Sequence, residues 1–159
     1  KKEKVIKESE KAKAAFIKAD PKMADMFSNA HGYLIFPAVG KGGFGVGGAS
    51  GNGVAFEQGT MIGMAKLTQV SVGFQAGGQS YREVVFFENS DAMDRFKQNK
   101  IELSAQVSAV AAASGASKDA KYVEGVMVFT MQKKGLMYEA AVGGQKFKFK
   151  PFEEESSGE

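Results

Sequence analysis

The chain has 159 residues, 43% of them hydrophobic and 25% charged, with 20 Gly, 8 Met, no Cys and no Trp. That length suffices for one domain with a sizeable core, and the missing cysteine excludes disulfides, thiolate metal sites and cysteine nucleophiles. Net charge is +3 and 19 of the 21 basic residues are Lys, which suits a diffuse positive surface better than the Arg-rich sites that read nucleic acid.

In chain order, residues 1–18 predict a charged helix, with Val5, Ile6, Ala12, Ala15, Phe16 and Ala19 gathered loosely on one side. Asp20-Pro21 stops it and starts a second helix through Met23, Met26 and Phe27, for which Gly32 is the expected left-handed cap. Residues 33–39 then read as a strand, with Pro37 marking an edge or a bend. Residues 44–49 continue extended, Gly51-Asn52-Gly53 is a turn signal, and 54–56 resume the strand. Val70, Val72, Phe74 and Ala76 alternate with small and polar residues, a period of two, and 84–88 form another strand.

Asn89-Ser90-Asp91 caps a short helix near 91–99 carrying Met93 and Phe96. Residues 101–109 alternate as a strand, although Ala111-Ala112-Ala113 would also accept a helix. Residues 126–131, a turn at 132–135, and 136–142 form a hairpin. On the last strand Phe147 and Phe149 alternate with Lys146, Lys148 and Lys150, and the acidic residues 153–159 form a solvated tail. The expected fold is α+β: helices within 1–30 packed on a strongly curved, mostly antiparallel, barrel-like sheet within 31–152, together one domain. No apolar run approaches the roughly 20 residues of a membrane-spanning helix.

Gly43-Phe44-Gly45-Val46-Gly47-Gly48 satisfies G-x-G-x-x-G. A dinucleotide site needs that turn to open a helix within a βαβ unit, and here another strand follows. Glycines two apart instead line one strand face, as do Gly73 and Gly77. A strip without Cβ atoms lets a sheet bend or lets a helix pack closely; a ligand groove is the functional alternative.

The order Ala30-His31-Gly32-Tyr33-Leu34-Ile35-Phe36-Pro37, Lys41-Gly42-Gly43-Phe44-Gly45-Val46-Gly47-Gly48, Gly51-Asn52-Gly53, Ser71-Val72-Gly73-Phe74-Gln75-Ala76-Gly77-Gly78-Gln79 and Lys134-Gly135-Leu136 with Gly144 resembles the SYLF family over about residues 15–150. The resemblance implies a lipid-binding domain; eukaryotic members bind phosphoinositides and some bind actin. This chain lacks the Trp-Ser-x-Pro stretch of those members, carrying GTMIGMAK at 59–66, and no adaptor domain follows its last strand. It is therefore similar to the bacterial members, which implies an exported chain, periplasmic or envelope-associated, with its signal removed; a start at Lys1 without Met fits a cleaved signal and a trimmed chain alike, and a cytoplasmic place stays open.

Alternation on the last strand puts three ammonium groups on one face, the ordinary reading being a solvated face and the functional one a surface for anionic head groups. With the first glycine motif and the hairpin tip, the candidate lipid-binding residues are Lys41, Phe44, Lys66, Lys133, Lys134, Lys146, Lys148 and Lys150. The first helix could lie on a membrane, but its stripe is thin and a helix covering the sheet is the better account. Met61, Met64, Met127, Met131 and Met137 fill a core or line an adaptable apolar pocket.

His31 is the one histidine, too few for a His-rich metal site, and is read as a structural contact at a helix end. No G-x-S-x-G elbow and no singled-out carboxylate pair is present. The expectation is a non-enzymatic module binding anionic phospholipid or membrane surfaces, with no cofactor or metal. The alternative is a protein-interaction or scaffold module, with an actin-type or envelope partner, docking by the exposed sheet.

Overall fold

The computed structural model describes residues 1–40, 48–69, 80–104, 106–107, 109–110, 120–138, 140 and 142–152. The glycine strip at 43–47, the strand expected over 70–76, the alanines at 111–113 and the tail at 153–159 lie outside the described residues. So do the candidates Lys41 and Phe44.

Helix α1 (Lys2–Ala19) buries Ser9, Ala12 and Phe16, spaced by three and four along one face. It ends where expected: Asp20 precedes Pro21 and is extended, with φ −147°, because the proline ring disfavours helical geometry in the residue before it. The Asp20 carboxylate accepts from the Lys22 backbone N–H at 3.1 Å, which bends the chain into α2 (Met23–Asn29). Gly32 is not the left-handed cap expected from the sequence. Ala30 caps α2 in an extended conformation, and Gly32 opens the first strand. A Cβ there would lie 2.6 Å from both Met93 Sδ and the Phe56 carbonyl oxygen, so this glycine serves close packing.

The strands are β1 (Gly32–Gly40), β2 (Ala49–Glu57), β3 (Thr60–Gln69), β4 (Tyr81–Phe87), β5 (Ala109–Val110), β6 (Val126–Gln132), β7 (Met137–Tyr138) and β8 (Gln145–Pro151). They form one sheet in the order β5-β6-β4-β1-β2-β3-β8, with β7 paired to β6. The pairings are antiparallel except for β5 with β6. Among the described residues no ladder joins β5 to β8, so the hydrogen-bonded sheet is open.

β1 is central, paired on both sides, so Pro37 marks a bend and not an edge. The register shifts between Ile35 and Val39 against β2 and between Phe36 and Val39 against β4, where a residue without an N–H is tolerated. The turn signal at Gly51-Asn52-Gly53 is a correction, since all three residues lie inside β2. The irregularity in β1 brings its backbone close here, and a Cβ on Gly51 would meet the Ala38 carbonyl oxygen at 2.7 Å. The chain reverses instead at Gln58 and Gly59, whose φ values of 52° and 80° make a two-residue hairpin turn.

Strand β3 was not expected, and β7 is shorter than the 136–142 arm anticipated. Helix α3 (Ser90–Lys97) begins as predicted: the Asn89 side chain accepts from the Ala92 N–H at 3.0 Å. Of the strand expected over 101–109, residues 105 and 108 lie outside the described residues; the described ones show a bridge between Glu102 and Lys146 and, at Ala109, the start of β5. Its alternation survives as burial of Ile101, Leu103 and Val107.

Two apolar layers flank the sheet. Tyr33, Ile35, Val84, Phe86 and Phe129 face α1 and α2, packing on Ala12, Phe16, Met23 and Phe27. Leu34, Phe36, Val85, Phe87 and Val128 face Met93 and Phe96 of α3 and the 101–107 segment. Met127, Met131 and Met137 are buried under α1 and α2, so these three fill core.

Candidate functional site

Four of the candidate lysines come together at the β3–β8 edge. Along β8 Lys146, Lys148 and Lys150 are exposed, while Gln145 and Phe147 are buried, as the alternation predicts. The register sets Lys66 of β3 directly opposite Lys148, Thr68 opposite Lys146 and Met64 opposite Lys150. On β2, Asn52 lies opposite Lys66 and Ser50 opposite Thr68. The face therefore carries four lysines among neutral polar groups, with Glu102, opposite Lys146, as the acidic neighbour in the pairing. Like charges directly opposite each other on a sheet are destabilising, so the Lys66–Lys148 pairing offers nothing to folding.

Lys133 and Lys134 are not part of this face. They are exposed at the tip between β6 and β7, outside the β3–β8 pairing. Beside them Leu136 is 65% exposed, an apolar side chain that the sequence reading had assigned to a strand. At the far end of the β3–β8 pair is a groove of about 380 Å³, lined by Met61, Ile62, Phe149, Pro151 and Phe152 with Lys97 at its side.

The first residue of β8 anchors a buried polar cluster that sequence reading did not find. Gln145 Nε2 lies 3.1 Å from Gln69 Oε1, 3.3 Å from the Tyr81 hydroxyl and 3.1 Å from Glu83 Oε1. Burial pushes the Glu83 carboxyl up to about 8, with the Gln145 hydrogen bond acting the other way. Glu83 is fully buried and its Oε2 has no partner among the described residues, so the group is held as a neutral acid near neutral pH.

His31 has a structural role. Its Nε2 lies 2.7 Å from Glu57 Oε2, and Gln58 Nε2 lies 3.1 Å from its Nδ1. An imidazole protonated on Nε2 satisfies both contacts. Lys97 Nζ approaches the other Glu57 oxygen at 2.5 Å. Burial works to raise the Glu57 carboxyl, but the hydrogen bonds and charges of Lys97 and His31 outweigh it and leave the group below its usual range. The set ties β1, the β2–β3 turn and α3 together. Among the described residues no group of three His, Asp or Glu is placed to hold a metal ion, and no helix is long and apolar enough to cross a membrane.

A family model described as Ysc84, Las17-binding protein actin regulator, matches residues 68–155. A curated relative, beta cell expansion factor A of Aeromonas veronii, is 28% identical over 123 residues, covering 77% of this chain and 47% of the relative. The chain thus spans about half the length of the curated relative it matches.

Proposed function

Because this chain belongs to the Ysc84 (SYLF) family, we propose that it is a non-enzymatic module that binds anionic phospholipid surfaces through the lysine face of β3 and β8. The observation that carries this reading is the register placing Lys66 against Lys148, with Lys146 and Lys150 alongside. A like-charge pair that costs stability is accounted for when an anionic surface covers it. Each Lys held near such a surface contributes about 1 kcal/mol, so four supply roughly 4 kcal/mol, or about a thousandfold in affinity at low salt. The effect fades within a Debye length.

The groove around Met61, Ile62, Phe149 and Phe152 supports an apolar contact at the end of the same strand pair. Leu136, with Lys133 and Lys134, supports a second, smaller contact. A barrel-like curvature belongs to this reading. In a flat sheet β4 and β8, four places apart, would be about 19 Å from each other, yet Gln145 and Glu83 are within hydrogen-bond distance. A non-enzymatic role is supported by His31, whose two ring nitrogens are both engaged by Glu57 and Gln58. A single domain over 1–152 and an exported, envelope-associated place complete the proposal; cell fractionation tests the latter.

The description of the matched family favours a second reading, a protein-interaction module with an actin-type partner. The lysines of β8 argue against docking by strand addition at that edge, since charged edges discourage such pairing.

Co-sedimentation with neutral vesicles and with vesicles carrying anionic phospholipid, at low and near-physiological salt, tests the proposal. Binding to the anionic vesicles is expected to fall with salt and to be lost in Lys66→Glu/Lys148→Glu. Unchanged binding by that variant would sink the lysine-face reading. Failure to bind either vesicle, with stoichiometric capture of actin, would favour the second.

A further inference from the structure

A second concave site lies away from the lysine face, between the middle of α1, the end of α2 and the β2–β3 turn. It is a groove of about 670 Å³, within the range of small-molecule sites. One wall is aromatic. Tyr33 and Phe56 stack with centroids 4.8 Å apart, and Phe27 meets Tyr33 edge-on at 4.9 Å. Tyr33 and Phe27 are 3% and 7% exposed, which holds that wall rigid.

Lys13 supplies the charge. Its ammonium stands 5.2 Å from the Phe27 centroid and 5.5 Å from that of Tyr33, and donates to the Tyr33 hydroxyl at 3.1 Å. An ammonium has three donors, and among the described residues no carboxylate pairs with this one. Among the described residues it is also the one formal charge in the lining, with no Asp or Glu beside it. The rim is set in advance: Gln58 is held through His31 and Glu57 to Lys97. A half-buried cation with no carboxylate against it among the described residues, fixed over an aromatic wall, is complementary to an anion joined to an apolar body.

We propose that this groove binds a monoanionic amphiphile, a carboxylate or phosphate group at Lys13 with its apolar chain laid against the partly exposed Ile17 and Phe56, over the buried rings of Phe27 and Tyr33. The lipid-binding reading lends it the ligand class only; the residues are separate from the lysine face, so the two stand or fall independently.

The probe is sodium decanoate below its micelle concentration, followed by backbone amide NMR shifts of the full chain, with decanol and inorganic phosphate as the other arms. Decanoate is expected to shift Ala30, Gln58 and Gly59 saturably. Lys13→Gln should weaken it about tenfold or more, Lys13→Arg should retain it, and Lys66→Gln/Lys148→Gln should leave it unchanged. That last variant should lose anionic vesicle binding while Lys13→Gln keeps it. No saturable shift, equal affinity in Lys13→Gln, or equal affinity for decanol would overturn the proposal. Inorganic phosphate binding as tightly as decanoate would overturn its apolar half.

Discussion

Glu83→Gln should change how stability depends on pH without changing the fold. Glu83 sits in β4 between β1 and β6, fully buried, with its carboxyl pushed from 4.5 up to about 8. In that interval the folded chain keeps a proton that the unfolded chain has released. Its contribution is therefore complete below 4.5 and declines by about 1.4 kcal/mol per pH unit as pH rises toward 8. Over the whole interval this amounts to roughly 5 kcal/mol, and between pH 5 and pH 7.5 to about 3 kcal/mol. The amide introduced by the substitution has the same shape, does not titrate, and can still accept from Gln145. The variant and the parent should thus be nearly equal at pH 5, with the variant more stable by about 3 kcal/mol at pH 7.5. Urea unfolding followed by far-ultraviolet circular dichroism across this range measures the difference directly. Two parallel pH profiles, separated by a constant amount, would refute the neutral-acid argument. The result bears on function as well, because Gln145 begins the strand that carries the lysine face.

Gly63→Ala should destabilise by about 1–3 kcal/mol, since its Cβ would fall 2.5 Å from the Lys150 carbonyl oxygen and 2.7 Å from Phe149 Cε1. Gly59→Ala, at φ +80° with no atom within 4 Å, should cost only about 1 kcal/mol of backbone strain; equal losses in thermal melts would contradict this division. Phe16→Ala removes a fully buried ring between α1 and the sheet and should cost about 3–5 kcal/mol in urea unfolding. Glu57 contributes stability that is complete above 4.5 and is lost as pH falls through its lowered folded value. Glu57→Gln should therefore melt lower than the parent at pH 7 and converge with it near pH 3; a gap that persists in acid would show that the loss is not electrostatic.

Short-range signals carried much of this fold. The spacing of Ala12 and Phe16, the Asn89 cap, the Asp20-Pro21 break and the Phe–Lys alternation of β8 each depend on residues within a few positions, and each is realised. The family was legible too, although its matched region begins at residue 68, after the first glycine motif that carried much of the resemblance. Local signals failed where a tertiary neighbour set the conformation. Gly32 and Gly51-Asn52-Gly53 read as a cap and a turn, yet they are glycine-bearing strand positions pressed against Met93 and the β1 backbone.

The sites were less visible for the same reason. Nothing near Lys66 predicts that it will face Lys148, 82 positions away, because a register is chosen by the burial of whole strands. Leu136, Lys13 and Glu83 gave no signal at all: a lysine in a helix and a glutamate in a strand look solvated until the fold supplies their surroundings. By itself the sequence determined the family, through its motifs, and also the three helices and the alternation of β8, which follow from backbone geometry over a few residues. Tertiary structure alone decided which lysines share a face, which carboxyl loses its water and which cation, among the described residues, has aromatic rings and a hydroxyl beside it in place of a carboxylate. Those outcomes depend on distances between strands and helices far apart in the chain.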